Sequence, residues 1–496
     1  VLASVTGTTS TSDAVLDFSY FVPTVDAGGS QVLDPVSGDD RAIPNEATVS
    51  ASWTPIDTRD PAIAISETVP TTGPEGVWDP DIEHPLTAKS IATQKHVSVP
   101  SGGSVPGAVL TYTINFQISD AFAFDNVVIT DLLGDGQVLS GTPTLTVHDG
   151  HLGTSPASAF DAANFDLTVD LDPATGKDEL VFRVSDELVT RNFSNGQLVG
   201  GLVPTGGSGG TPLASQPALF TPGTTGSIVF QAVVQDAYTG NVPSGEAFVD
   251  PGDLVDNSVT IAGDLISVAD LTTPTGQSEQ DTSHAWSRVP PTSFAKTVYA
   301  FNGSTAGQPL PATTLVTAGD TLTYRLRYAL PTSDFENLLL TDYLPLPLFD
   351  VDDTGTAIAG FDAAASGTGT APAAGRWTYG PDDTFHTISG SPTPSVSNDS
   401  APNSVVFDYG SYDTPTNQPS VIDLLFTVTA SNDPYADSLR LANRAVITAN
   451  NTALVPENNE GIAEITSSEP ELVITKGIVD TDNPGDFSPA TIGPVS

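Results

Sequence analysis

The stretch LTYTINFQI, residues 110–118, decides the fold class of this chain. Its large apolar side chains fall on every second position, and small polar side chains fall between them. A second stretch, TLTYRLRYAL at residues 321–330, repeats the alternation. Because successive side chains of a β-strand point to opposite faces, each stretch predicts a strand with one face in a core and the other in water.

Shorter segments with the same period occur along the whole chain. Its 496 residues include 44 Gly and 41 Pro, which are spread throughout and break helices. Apolar periods of 3.6 residues are hard to find. The sequence therefore predicts an all-β chain of tandem immunoglobulin-like β-sandwich domains. No run of about 18 apolar residues occurs, so we expect no membrane span.

Five segments recur in a fixed order. The first carries Lys, in TQKHV (93–97), FAKTV (294–298) and ITKGI (474–478). The second is the alternating strand, and the third is NVVITDLL (126–133) and NLLLTDYL (337–344). The fourth centres on Phe18, Phe230 and Phe426, and the fifth opens with Asn45, Asn257 and Asn443. Segments that return after about 200 residues predict whole domains in a string.

This order predicts the domain organisation. Residues 1–52 are the C-terminal part of a repeat, 53–88 a connector rich in Pro and Asp, and 89–263 a whole β-sandwich repeat. Residues 264–290 are a second connector, 291–468 a second whole repeat, and 469–496 the first strand of another. We therefore expect the chain to be a processed or excised piece of a longer protein.

The charge is strongly negative. Asp and Glu number 60 against 15 Lys and Arg, so the formal net charge is -45, and 46 of the acids are Asp. Such a surface repels nucleic acid and anionic lipid. Asp is favoured in loops that hold Ca²⁺, although an acidic coat suited to salty water explains the same bias. The chain has no Cys, so disulfides are excluded.

The repeat pattern resembles a known family. A Lys strand, GDTLTY (319–324), NLLLTDYLP (337–345) and the closing strand NRAVI (443–447) resemble the conserved-repeat domain of bacterial surface proteins. That family was long catalogued as a domain of unknown function and overlaps the isopeptide-forming fimbrial D2 domains. The resemblance covers most of residues 89–478, and is weaker in the first whole repeat, which lacks the Gly-Asp and Pro of the pattern. It implies immunoglobulin-like sandwiches in adhesins, S-layer-type proteins, fimbriae and matrix filaments.

The resemblance gives the repeated Lys a role. Only five Lys occur in the chain, and three of them share one repeat position. In D2-like domains the first-strand Lys joins the last-strand Asn in an isopeptide bond that a carboxylic acid promotes. The residues carried over are Lys95, Asn257 and Asp131 in one repeat, and Lys296, Asn443 and Asp342 in the next. Asp125 and Glu336 are the alternative acids. Lys476 and Asn45 would pair with residues outside the chain.

Burial explains why these residue types suit the reaction. An apolar core lowers the pKa of Lys and raises that of Asp, which favours a neutral amine and a protonated acid. The acid then polarises the Asn carboxamide and shuttles protons while ammonia leaves. The alternative is that each Lys reaches solvent while Asn and Asp form turns at strand ends.

Calcium is the second hypothesis for a site. Clusters of Asp occur at Asp350, Asp352 and Asp353, and again at Asp480, Asp482 and Asp486. A third set alternates at Asp79, Asp81 and Glu83. Oxygen ligands at alternate positions suit a Ca²⁺ loop, but none of the clusters matches the full EF-hand pattern. Each cluster by itself is more often a solvated loop than a metal site, but at this net charge we expect some Ca²⁺ at domain junctions.

Catalysis on an external substrate is not expected. The six His show no metal spacing beyond His148 and His151, and no nucleophile elbow or phosphate loop occurs. We expect an extracellular, cell-surface or matrix structural module, such as a stalk, filament or S-layer-like part, with copies of itself or other matrix proteins as partners. The alternative is an adhesin that binds carbohydrate or another cell surface, for which RWTY (376–379) and Trp286 are the hints. The strand at 472–478 could also complete a neighbouring subunit.

Overall fold

The computed structural model describes residues 26–43, 48–53, 65–70, 86–201, 203 and 223–469, except positions 35, 151, 162–165, 308, 415–416 and 434. Its N-terminal strands are β1 (Arg41–Ile43), β2 (Thr48–Trp53), β3 (Ile65–Pro70) and β4 (Leu86–Ala88). Strand β1 pairs with β4 and β2 with β3, both antiparallel. None of the described helices is long and apolar enough to cross a membrane.

The first sandwich follows. Its elements are β5 (Ile91–Ser98), β6 (Val109–Ile118), β7 (Ala123–Leu133), β8 (Gln137–Asp149), β9 (Gly153–Ala159), β10 (Leu167–Asp172), β11 (Lys177–Arg183), α1 (Val184–Thr190), a 3₁₀ turn (Ser194–Gly196), β12 (Leu198–Val199), β13 (Thr225–Val234), β14 (Leu254–Ile266) and β15 (Pro274–Arg288). One sheet has the order β5-β6-β13-β8-β9. The other has the order β10-β11-β7-β14-β15, with β12 beside β7.

The second sandwich has the same plan. Its elements are β16 (Ser293–Phe301), β17 (Leu315–Val316), β18 (Thr321–Leu330), β19 (Phe335–Tyr343), β20 (Gly360–Phe361), β21 (Arg376–Tyr379), a 3₁₀ turn (Phe385–Thr387), β22 (Ser395–Asp399), β23 (Ser404–Tyr412), β24 (Ser420–Thr429), β25 (Arg440–Asn450) and β26 (Pro456–Ser467). The sheets have the orders β16-β18-β24-β21-β20 and β17-β26-β25-β19-β23-β22. The predicted fold class is confirmed.

Each core lies between its two sheets. The apolar members of the alternating strands β6 and β18 are buried, as their period predicted. Tyr112 stacks on Phe230 with ring centroids 5.3 Å apart, and Tyr324 meets Phe426 at 5.6 Å. These are the aromatic residues of the second and fourth repeated segments, so the repeated pattern corresponds to equivalent strands in the two cores.

The third segment contains a bulge at the same place in both domains. Asn126 and Asn337 have φ of 50° and 54°, and the pairing register of β7 and β19 shifts beside them. Asn tolerates this left-handed conformation better than most residues. Beyond the bulge, alternate side chains face the core, and these include the two acids Asp131 and Asp342.

The predicted connectors contain strands. Residues 274–288, within the expected connector 264–290, form β15, which pairs along the whole of β14. The expected connector 53–88 contains β3 and β4. Strand β15 is mostly polar and exposed because it lies at a sheet edge, so its sequence lacks the alternation by which the other strands were predicted.

Candidate functional site

The repeated Lys lies where the two sheets of each sandwich meet. Strand β5 is the edge of its sheet and runs against β15 of the other. The Lys95 backbone N–H donates to Ser283 Oγ at 3.0 Å, which fixes this contact. In the second domain Gly461 occupies the position of Ser283. The two strands approach so closely here that a Cβ added to Gly461 would lie 2.9 Å from Lys296 Cβ. Both Lys side chains are therefore directed into the core, and both are fully buried.

The acid and the Asn come from neighbouring antiparallel strands. In the first domain Asp131 pairs with Val259 and Asn257 pairs with Leu133, so Asp131 and Asn257 are diagonal neighbours on the inner face. Asp342 and Asn443 occupy the same positions on β19 and β25, where Asp342 pairs with Ala445. The register thus brings Lys, Asp and Asn together in both domains.

The three side chains of each triad are buried in contact. Lys95 Nζ donates to Asp131 Oδ2, and Lys296 Nζ donates to Asp342 Oδ2. The Asn257 side chain lies beside Asp131, and Asn443 lies beside Asp342. Neither the Oδ1 nor the Nδ2 atom of either Asn has a hydrogen bond of good geometry to any described residue. A buried amide without well-formed hydrogen bonds costs up to about 1–3 kcal/mol, so this arrangement is not one that stability alone favours.

Aromatic rings surround each amine. Lys95 Nζ lies 5.0 Å from the ring centroid of Tyr112 and 5.3 Å from that of Phe230. Lys296 Nζ lies 4.8 Å from Tyr324 and 5.9 Å from Phe426. The rings exclude water from the amines.

Burial shifts the pKa values of the triad side chains. It lowers the pKa of Lys95 and of Lys296 to about 8, even though the neighbouring carboxylates oppose the change. It also raises the pKa of Asp131 and Asp342 despite the opposing charge of each Lys. Both shifts favour a neutral amine next to a protonated acid, which is the pair that amide formation requires.

The structure distinguishes the alternative acids. Asp125 is half-exposed and accepts a hydrogen bond from the Asn126 backbone N–H. Glu336 is buried, but it lies near Asp250 of the first domain and not at a triad. Only Asp131 and Asp342 of the four acids contact a repeated Lys in the described structure.

Two tyrosines belong to the sites and were not singled out as site residues from sequence. Tyr112 and Tyr324 lie beside Asn257 and Asn443, respectively. The Tyr112 hydroxyl donates to Gln137 Oε1 at 2.7 Å, whereas the Tyr324 hydroxyl has no partner of good geometry among the described residues. The signal that could have found them is their shared place in the Leu-Thr-Tyr of the second segment.

The loop proposed for calcium folds on itself. Asp350 Oδ1 accepts from the Asp352 backbone N–H at 2.9 Å, and Asp352 Oδ1 accepts from Ser400 Oγ at 2.6 Å. The Asp353 backbone N–H donates to the Asp350 carbonyl at 3.0 Å in the same turn. Within the described ranges, no three His, Asp or Glu side chains are arranged around a common metal position. The other predicted positions, Asn45, residues 79–83, Lys476, residues 472–478 and Asp480, Asp482 and Asp486, lie outside the described residues.

The two tryptophans that suggested an adhesin differ in their exposure to solvent. Trp377 of β21 is 4% exposed and packs in the core against Phe407, so it is not a surface residue. Trp286 of β15 is 62% exposed. Of these two tryptophans, only Trp286 is therefore accessible to a ligand.

Comparison with protein-family models gives no match, and comparison with curated proteins gives none either. Among solved structures, the C-terminal domain of the Streptococcus pyogenes antigen I/II-family protein AspA is 12% identical, with TM-score 0.25, over 76% of this chain and 99% of that one. The major pilin subunit BcpA of Bacillus cereus is 9% identical, with TM-score 0.21, over 90% and 92%.

A third solved structure is ACE19, the collagen-binding subdomain of the Enterococcus faecalis surface protein ACE, at 11% identity and TM-score 0.19 over 40% of this chain and 97% of that one. TM-scores this low carry no argument about what this chain binds or builds. By its own geometry, this chain is a pair of tandem β-sandwiches, each of which contains a buried Lys-Asp-Asn triad.

Proposed function

We propose that this chain is a structural module of a large extracellular surface or matrix protein, and that each domain is closed by an isopeptide bond, between Lys95 and Asn257 and between Lys296 and Asn443. The observation that carries the proposal is the duplicated, fully buried triad in which the Asn amide makes no well-formed hydrogen bond to any described residue. A charge of -45 and the absence of Cys suit an exposed module that needs a cross-link other than a disulfide.

The proposed reaction is a transamidation within one chain. The neutral Lys Nζ attacks Cγ of Asn, a new C–N bond forms, and the Cγ–Nδ2 bond breaks. The protonated Asp polarises the carboxamide oxygen, and one amine proton passes by way of the carboxyl group to the departing nitrogen. Ammonia is the only product released, so no oxidant or cofactor is required.

The bond would join strands that are far apart in sequence. Lys95 lies on the first strand of its domain and Asn257 on the penultimate strand, and Lys296 and Asn443 have the same placement. A tension applied to the two ends of a domain would pass through this covalent link instead of through hydrogen bonds. Such a link suits a stalk or filament module.

The test is the intact mass of the denatured full chain. We expect a mass that is lower than the plain sequence by two ammonia molecules, and cross-linked peptides that contain Lys95 with Asn257 and Lys296 with Asn443. Lys296→Ala should restore one ammonia, while Lys177→Ala, which changes a Lys outside the triads, should leave the loss of two unchanged. A wild-type mass equal to the plain sequence would disprove the proposal.

An adhesin role is the second candidate, and the exposure of Trp286 favours it. An exposed indole on a sheet edge can stack on a sugar ring or pack in a protein interface. Binding of the wild-type chain to a glycan array, lost in Trp286→Ser, would support this role. No binding to any glycan would leave the structural role as the single proposal.

A further inference from the structure

The contact between the two sandwiches contains a concentration of acids. The segment 236–253 of the first domain meets loops of the second domain that include Asn417 and Thr452. Thr452 Oγ1 donates to Asp253 Oδ2 at 2.6 Å and Asn417 Nδ2 donates to the Asp236 carbonyl at 3.1 Å. The Asn451 Nδ2 also donates to the Gly252 carbonyl at 3.3 Å. These bonds show that the loops of the two domains are in direct contact.

Seven carboxyl groups surround this contact. The first domain contributes Asp236, Glu246, Asp250 and Asp253, and the second contributes Asp334, Glu336 and Asp413. We call this set the junction cluster. Within the described part of the chain, none of the seven forms a salt bridge with Lys or Arg, and the nearby Arg288 is paired with Glu457. The cluster therefore has no Lys or Arg counter-charge among the described residues.

Oxygen atoms inside the cluster lack partners. Asp250 is 1% exposed and Asp334 is 0% exposed, and Oδ1 of Asp250 and Oδ2 of Asp334 have no hydrogen bond to any described residue. Oδ1 of the buried Asn417 and Oδ1 of Asp413 also have no hydrogen bond to any described residue. Asp250 and Asp334 are close enough for each other's charge to matter, although they belong to different domains. Unpaired buried carboxylates are costly unless a cation or protons compensate them.

We propose that the junction cluster binds a divalent cation of the Ca²⁺ type, which joins the two domains. The donors are all oxygens, from carboxylates, an amide and backbone carbonyls, and this is the donor set that Ca²⁺ takes in its coordination shells of 6–8 oxygens. The carboxylates are not yet gathered around one point in this geometry. Binding therefore draws the loops of the two domains together and stiffens the tandem.

Protonation is the competing way to neutralise the cluster. Burial, together with the charges of Asp253, Glu336 and Asp334, raises the pKa of Asp250 to about 9. Burial and the charges of Asp413 and Asp236 raise the pKa of Asp334 to about 8. Tyr238, whose hydroxyl donates to Asp253, and Tyr328, which lies near Asp250, are further titratable groups that face the cluster. Without a cation, these carboxyl groups stay protonated in the folded chain up to their raised pKa values, whereas in the unfolded chain they lose their protons above about pH 4. The free energy of unfolding therefore falls as the pH rises toward 9.

The same contact recurs along the chain. Asp-Pro precedes each closing segment, at residues 34–35, 250–251 and 433–434. Gly38, after the first Asp-Pro, lies against Leu265 and Glu279 at the β14–β15 hairpin, and Gly252, after the second, lies against Glu457 at the β25–β26 hairpin. The loops after Asp34 and Asp250 thus dock on the closing hairpin of the next domain, and a cation at this place would couple successive repeats.

The experiment uses the full chain, freed of metal with a chelator and titrated with CaCl₂ by calorimetry. We expect binding below about 1 mM, as in extracellular calcium modules. At 100-fold excess over Kd, the unfolding midpoint should rise by about 5–10 °C. The charge-removing variant Asp250→Asn/Asp334→Asn should lose this shift. The control Asp350→Asn/Asp352→Asn, in the other Asp-rich loop, should keep it.

A second measurement does not depend on variants that fold. In chelator, the unfolding midpoint of the wild type should fall between pH 6 and pH 9, values that bracket the raised pKa of Asp334, and CaCl₂ should abolish most of this fall. A pH dependence that CaCl₂ does not change would show that protons alone fill the cluster and would overturn the proposal. Calcium binding that survives in Asp250→Asn/Asp334→Asn but is lost in Asp350→Asn/Asp352→Asn would also overturn it.

Discussion

The variant Asn443→Ala isolates the contribution of the proposed bond in the second domain. It removes the amide that Lys296 would attack, and it leaves the buried Lys296–Asp342 pair in place. The bond would close a loop of 443 − 296 = 147 residues. For a cross-link that restricts the unfolded chain over a loop of this length, the stabilisation is about 5 kcal/mol at 25 °C. Its loss corresponds to a fall of about 10–20 °C in the unfolding midpoint of a domain of this size.

The assay is differential scanning calorimetry of the full chain together with its intact mass. We expect Asn443→Ala to lose one ammonia instead of two. The unfolding midpoint of the second domain should fall, and that of the first domain should not change. Asn458→Ala, an exposed Asn on the adjacent strand β26, is the matched control and should change neither mass loss nor midpoint. A midpoint within about 2 °C of wild type would refute the expected stabilisation by the cross-link, even if the mass changed as expected.

Three further predictions follow from the geometry of the second domain. Asp342→Asn should block closure and leave one ammonia unreleased, since it removes the acid that Lys296 contacts; equal mass loss in variant and wild type would contradict this. Tyr324→Phe should slow closure in freshly folded protein by about 10-fold or more, because its hydroxyl lies beside Asn443; a time course of mass checks it, with Tyr412→Phe as control. Arg325→Lys should destabilise the domain by about 1–3 kcal/mol, because Arg325 holds the buried Asp423 with two bonds of 2.7 Å; denaturant unfolding measures this, and the exposed Arg440→Lys should cost under about 1 kcal/mol.

Much of the fold could be predicted from local pattern. Strands β6 and β18 were clear because their side chains alternate between core and water, which is a property of each strand alone. The five-segment repeat also placed Lys95, Asn257 and their second-domain equivalents on defined strands. Strand β15 was missed because an exposed edge strand needs no apolar period. RWTY (376–379) was interpreted as a surface feature, whereas Trp377 lies in the core.

The sequence by itself determined the all-β class, the two repeats and the residue types of each triad, because alternation and recurrence are visible along one chain. Only the tertiary structure decided which acid meets each Lys. Asp131 and Asp125 lie on the same strand, and the bulge at Asn126 and the pairing with β14 bring Asp131 to Lys95. The junction cluster likewise required two domains in contact. Side chains far apart in sequence meet only through sheet register and packing, and their burial then changes their chemistry.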